Sequence, residues 1–328
     1  MMVITSNTMN LSLTSPFFLA GVPGLEDVHG WIALPVSFMY FVSLLSNFCV
    51  LLIIKTEPSL HQPMYLFLSM LLFTDLVQSN STVPKVLFIF WFNNREISFE
   101  CCLVQMFFVH SFSIMNSSVL LAMAFDRYVA VCHPLRYVTI LTTPLIMKIG
   151  ILVVMRGTVL MIPHLLLLRW LPFCRSHSIE QTYCEHMAVA KLACADIRIN
   201  DAYGLFVALS VALIDFVFIA TSYTLIVRAV LRLPSREARY KVGNTCVTHI
   251  CVILVAYIPA LFSFLSHRYA EHMVVSTQVI LSNLYLLFPP MLNPIIYGIS
   301  TKEIQKNVGK FFSYHKSLNL KHKKLNFL

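Results

Sequence analysis

Charged side chains stand where apolar residues surround them: Asp75, the adjacent Asp126 and Arg127, Arg156 and Asp215. Charge in such surroundings is costly unless it is paired or put to use, so these positions are where chemistry is sought first. Asp126 and Arg127 close a long apolar run, where an ion pair either marks the end of a buried segment or holds something in place. Cys174, His177, Cys184 and His186 are soft metal ligands lying close together. Their spacing is irregular and Cys101, Cys102 and Cys194 occur in similar segments, so disulfides are the better reading and no metal is expected. Five such cysteines allow two bridges, and spacing leaves their connectivity open. Paired acids at one depth or a histidine motif, which a membrane enzyme would need, do not occur; neither catalysis nor a cofactor is expected.

The elements that carry these groups follow from composition. Of 328 residues, 58% are hydrophobic and 12% charged, with a mean hydropathy of +0.75. Soluble domains carry ~45–50% apolar and ~25% charged residues, so lipid is the expected solvent. A helix needs ~20 mostly apolar residues to cross the hydrocarbon. Seven windows qualify, at 30–54, 64–90, 101–127, 144–168, 203–231, 243–265 and 276–298. Runs such as Leu209 to Ala220 are apolar on every side, unlike the alternating strands of a barrel. The expected architecture is an all-α membrane protein, a bundle of seven transmembrane helices. Its parts are an outer tail (1–29), the bundle (30–298) and a cytoplasmic tail (299–328). The first thirty residues lack the charged start and cleavage site of a signal peptide, so the first span is expected to target the chain.

Orientation follows from lysine and arginine. The net charge of +9 divides into about +12 on the face holding the 55–63, 127–143 and 228–242 loops and the C-terminus, about −2 on the other and −1 inside. The C-terminus is therefore expected in the cytosol and the N-terminus outside. Topology and anionic inner-leaflet lipid account for the basic charge, and nucleic-acid binding is not expected. Cys101, Cys102, Cys174, Cys184 and Cys194 all fall on the outer, oxidising side. Asn10-Leu11-Ser12 is a glycosylation acceptor in the outer tail; the same pattern at Asn80 and Asn116 lies within spans. Past the seventh span, Ile304, Val308, Phe311 and Phe312 oppose Lys302, Lys306 and Lys310, as in a short amphipathic helix on the inner leaflet. No cysteine follows Cys251, so a palmitoylated tail is not expected.

The string from Met123 to Tyr137, MAFDRYVAVCHPLRY, exceeds what a helix end requires. It resembles the signature of olfactory receptors, a branch of the rhodopsin-like G-protein-coupled receptors. Matching strings follow in order: Pro63 to Ser69 with Asp75, Leu171 to Cys174, Ser222-Tyr223, Lys241 to His249, and Pro289 to Tyr297. The long loop before the fifth span and His267-Arg268 resemble the class I, fish-like, branch. The resemblance implies bridges Cys102–Cys184 and Cys174–Cys194, with Cys101 unpaired. It implies that Asp126 holds Arg127 in the resting state and that Arg127 turns toward Tyr223 on activation. Tyr128 and His249 belong to the same coupling region, and Asn293, Pro294 and Tyr297 to the moving seventh helix. Asp75 belongs to a sodium pocket in that superfamily. Here Asn116 stands where an acid is usual, leaving an Asp75–Asn116–Asn293 hydrogen-bond cluster as the other reading.

On the third span Val109, His110, Ser113, Ile114 and Ser117 share one helical face. Such a stripe is either packing or the wall of a site. The resemblance places a ligand against it, together with His164, Gly204, Ala208, Tyr257, Phe264, Arg268 and Met187. Arg268 is either a solvated cap or, by resemblance, the anchor for a carboxylate. The implied function is an odorant receptor taking a small volatile or aliphatic ligand, a carboxylic acid first. It signals through a stimulatory, olfactory-type heterotrimeric G protein and cyclic AMP from the plasma membrane of sensory cilia. A transporter or channel, or a binding protein that does not couple, are the rival classes. Cys101, Arg156 and Asp215 carry no assigned role at this level.

Overall fold

The computed structural model describes residues 16–174, 177–269 and 273–310. Seven long helices dominate it: α1 (His29–Thr56), α2 (Pro63–Phe92), α3 (Phe99–Cys132), α4 (Thr143–Arg169), α5 (Arg198–Leu231), α6 (Arg236–Tyr269) and α7 (Val275–Ser300). Each expected window lies within one of them, and every helix but α5, which ends with its window at Leu231, extends past the window at both ends. Six are long and apolar enough to cross a membrane. The other, α2, carries the polar run Thr74, Asp75, Gln78, Ser79, Asn80, Ser81 and Thr82, most of it turned into the bundle.

Helix starts obey local rules. Pro63 and Pro144 open α2 and α4, where a missing N–H costs nothing, and the Ser98 side chain caps the Cys101 amide at the start of α3. α3 is the most enclosed span, packed against α2, α4 and α5. At Gly157 of α4 an added Cβ would sit 2.7 Å from the Ser111 carbonyl oxygen, so this crossing needs glycine. Past α7 the backbone turns at Thr301, and a short helix α8 covers 302–310. Ile304 is fully buried in the cluster that holds Val50, Ile53 and Ile54 of α1. Phe311 and Phe312 lie outside the described residues.

The outer end is closed by a small sheet. β1 (Phe17–Leu19) is its middle strand, antiparallel to β2 (Glu96–Ile97) and parallel to β3 (Ser178–Ile179) of the long loop before α5. Phe17 packs on Phe99 and Phe173, which fastens β1 to the top of α3. Gly21 follows at φ +80°, and a Cβ there would meet the His29 ring at 2.7 Å. Trp31, Trp91 and Trp170, all three tryptophans of the chain, are exposed near this end, where amphipathic rings mark the membrane boundary.

Candidate functional site

Two bridges tie down the loop over the bundle: Cys102 to Cys184, with Cα atoms 5.5 Å apart, and Cys174 to Cys194, 5.9 Å apart. Cys101 is exposed and free. Beside the first bridge, Gln105 of α3 accepts the Cys184 amide at 2.9 Å and donates to the Ser81 carbonyl of α2 at 3.0 Å. Thr182 donates to Asn283 of α7 at 3.0 Å, and Tyr183 is buried with Val109 and Leu286. The loop thus descends onto α3 and α7. Asn10 lies outside the described residues.

Below the loop, the expected ligand residues fall in two groups. His164 of α4 meets the ring of His186 edge-on at 4.2 Å and that of Tyr203 at 5.0 Å, beside the buried Met187 and one residue before the buried Gly204. On α3, Ile114 is buried, Ser113 shares a hydrogen bond with Tyr285 of α7, and the buried His110 Nε2 has no hydrogen-bond partner among the described residues. Ala208 and Phe264 are half-buried on α5 and α6. The side chain of Arg268 lies outside the described residues. Tyr285 and Tyr183 were not singled out from the sequence, since nothing in the α3 periodicity shows which residues of α7 or the loop face it.

Under this region lies a polar network that unites groups given no role above. Arg156 of α4 donates to Asp215 of α5 at 2.7 Å and to Ser118 of α3 at 2.9 Å. Ser117 donates to the other Asp215 oxygen and is bonded to the Tyr257 hydroxyl of α6. Asp215 is fully buried, so the pair and its hydrogen bonds replace the water that the carboxylate has lost. The sequence held a signal for it, since opposite charges within lipid-spanning segments seek each other. Four helices meet there, and the expected ligand residue Tyr257 is one of its ends.

Deeper, Asp75 accepts N–H groups from Asn116 at 2.7 Å and from Asn293 at 2.8 Å, one on each carboxylate oxygen. Asn47 donates to the Pro290 carbonyl at 2.6 Å, on the helix that carries Pro294. The residues present form a hydrogen-bond cluster around one carboxylate, in which the buried Asn293 Oδ1 has no hydrogen-bond partner among the described residues.

At the cytoplasmic end, Arg127 donates to Asp126, through Nε at 3.0 Å. Asp126 also accepts from Tyr137 at 2.7 Å, a loop residue that was not singled out from the sequence. Burial and the neighbouring Asp126 carboxylate push the Tyr137 phenol up, so it stays a donor. Tyr223 of α5 is bonded to His249 of α6 at 2.7 Å. Met123, Asp126, Arg127, Thr248, His249 and Tyr297 surround a small cavity, and Tyr128 contacts His133. Leu135, in the loop after α3, is 99% exposed.

A closed helical bundle with a bridged outer loop, a buried polar core and an arginine latch at the cytoplasmic end is the frame in which similar proteins are read. The family pattern described as Olfactory receptor matches residues 36–315. Among human proteins, "Olfactory receptor 52P1" is 53% identical over 307 residues, covering 94% of this chain and 96% of the relative. "Olfactory receptor 52N4" is 50% identical over 312 residues, covering 95% and 97%, and "Olfactory receptor 52K1" 52% over 305 residues, covering 92% and 97%. Such proteins are multi-pass receptors of the plasma membrane and not enzymes. With half its residues shared across nearly its whole length, this chain belongs to the olfactory receptor family of G-protein-coupled receptors, in its class I branch.

Proposed function

We propose that this odorant receptor takes a small aliphatic ligand, a carboxylic acid first, in the outer half of the bundle beneath the bridged loop. His110, Ser113, Ile114, His164, Met187, Gly204, Ala208, Tyr257 and Phe264 form the wall, and Arg268 receives the carboxylate. Each methylene of the tail that leaves water contributes roughly 0.8 kcal/mol. Binding is passed inward, α6 moves, and Arg127 leaves Asp126 for Tyr223. A stimulatory, olfactory-type G protein then binds and cyclic AMP rises, in sensory cilia. The observation that supports this reading is the position of Tyr257. It belongs to the wall, and through Ser117 it is bonded to the Asp215–Arg156 pair, so a ligand that shifts it acts on four helices at once. The Asp75 cluster acts in this reading as a hydrogen-bonded joint between α2, α3 and α7.

The test is a cell reporting cyclic AMP, challenged with aliphatic acids, alcohols and aldehydes of graded length. The expected result is a response to acids that strengthens with chain length to an optimum and is lost in Arg268→Ala. Equal responses to acids and alcohols, or an acid response undiminished in Arg268→Ala, would overturn the carboxylate assignment. Ligand binding without any rise in cyclic AMP would overturn the coupling.

A further inference from the structure

One polar residue of α2 is turned away from the bundle. Asn80-Ser81-Thr82 has the pattern of a glycosylation acceptor, yet Asn80 stands well inside a span. Thr74, Asp75, Gln78, Ser79 and Thr82 around it are buried, whereas Asn80 is exposed. Phe73 and Phe88, seven residues before it and eight after, are exposed on the same broad face of the helix, so that face meets lipid. The Asn80 side chain is only partly satisfied from within. Its Nδ2 donates to the Leu76 carbonyl at 2.7 Å, and its Oδ1 accepts from the Tyr40 hydroxyl of α1 at 2.8 Å. A carboxamide has two N–H donors and two acceptor lone pairs, so one of each is left over among the described residues. Pro84, one turn on, has no N–H to give to the Asn80 backbone carbonyl, which makes the spot more polar still.

We infer that Asn80 is the centre of a docking surface for a second copy of this receptor. Depth excludes the other sources of polar groups. Asn80 precedes Trp91 by eleven residues, so it lies about 16 Å along the axis below the outer boundary of a hydrocarbon layer about 30 Å thick. Headgroups and sterol hydroxyls stop at that boundary, and water is absent beneath it. Another protein helix does carry polar groups to that depth. A second copy meets the requirement by symmetry: related by a twofold axis along the membrane normal, its Asn80 stands at the same height. The spare N–H of each carboxamide then donates to the spare lone pair of the other, and both side chains are satisfied. Phe73 and Phe88 flank this polar pair with apolar contact on either side.

The test is energy transfer between donor-labelled and acceptor-labelled full-length receptors in phosphatidylcholine vesicles, followed as the receptor is diluted in lipid. The expected result is transfer above that of randomly placed monomers, falling on dilution as a dimer requires. Asn80→Leu should weaken the dimer by about tenfold, the worth of a reciprocal pair of interhelical hydrogen bonds, while Asn80→Gln keeps most of it. Tyr40→Phe removes only the bond to Asn80 within one receptor and should leave the dimer intact. Monomers at every dilution, or a dimer as tight in Asn80→Leu, would overturn the inference. Equal losses in Tyr40→Phe and Asn80→Leu would also overturn it, tracing the effect to the packing of α1 on α2. Monomers in the vesicles with Asn80-dependent pairing only in cell membranes would overturn it in favour of a different protein chain. None of these readings requires an odorant.

Discussion

Asp215→Ala removes one member of the ion pair inside the bundle and leaves the Arg156 guanidinium behind, together with the Ser117 hydroxyl that bonded to the carboxylate. Breaking a buried pair from one side costs about 3–5 kcal/mol, because the remaining charge has no counterpart. The Arg156 side chain is 24% exposed, within a span where that surface faces lipid, and retains only its bond to Ser118. A cost of at least about 3 kcal/mol is therefore expected. At about 1.4 kcal/mol per tenfold, that is about two orders of magnitude in the ratio of folded to misfolded receptor. The assay is surface expression by flow cytometry together with thermal stability of the purified receptor. The double variant Arg156→Met with Asp215→Leu separates charge from shape, since replacing both ions by apolar groups of similar volume is often neutral or better. It should restore surface expression while the odorant response stays weak, because Tyr257 and Ser117 no longer reach α4 and α5. Asp215→Ala as stable as the parent, or a full response in the double variant, would refute the reasoning.

Leu135→Asp should reach the surface normally and lose most cyclic AMP production, since its exposed side chain touches nothing within the receptor; unimpaired production would exclude the loop from coupling. Cys102→Ser should harm surface expression more than Cys174→Ser, because the first bridge closes 82 residues and the second 20. Chain-entropy estimates are about 4.5 and about 3.3 kcal/mol, and the reverse order in flow cytometry would contradict them. Replacing sodium with an organic cation should leave odorant potency unchanged, since both Asp75 oxygens already accept amide N–H groups. A shifted dose–response curve would restore the sodium reading. Tyr137→Phe, which frees one Asp126 oxygen, should raise basal cyclic AMP by a few fold at equal surface expression.

What the sequence disclosed about this molecule depended on how far each constraint reaches along the chain. Lipid demands long apolar runs, so the spans were legible down to a few residues, and α2 too, although its polar middle leaves it outside the six helices long and apolar enough to cross a membrane. The charges at Asp75, Arg156 and Asp215 were conspicuous for the same reason. Their partners were another matter. Ser117 and Asp215 are 98 residues apart, and whether they meet depends on how α3 and α5 are rotated, which periodicity in one helix does not state. The β1 strand was read as part of an outer tail. A three-residue strand has no pattern of its own, and its place is set by two loops far from it in sequence. Tyr137 stayed hidden because a tyrosine at a membrane boundary looks alike whether it anchors in lipid or bonds to Asp126.

The cytoplasmic contacts also limit how firmly the resting state is held. Turning a population from one part in a hundred open to one part in a hundred closed takes a difference in affinity of about 5.5 kcal/mol. A volatile ligand of about ten heavy atoms has on the order of 3–15 kcal/mol of binding energy in all, and only part distinguishes the two states. The latch must therefore be slight. Arg127 and Asp126 are neighbours on one helix, so their bond by itself joins no two elements. Hydrogen bonds that do join elements there include Tyr137 to Asp126, between the loop and α3, and Tyr223 to His249, between α5 and α6, besides weaker sulfur contacts from Cys132 to the Leu225 carbonyl and from Tyr297 to Met123. Net contributions of about 0.5–1.5 kcal/mol for a neutral hydrogen bond and about 1.5–3 for one to a charge keep the pair within a small ligand's reach. The costly charges, Asp215 and Arg156, sit further in, where Ser117 joins them to Tyr257 of the proposed odorant wall.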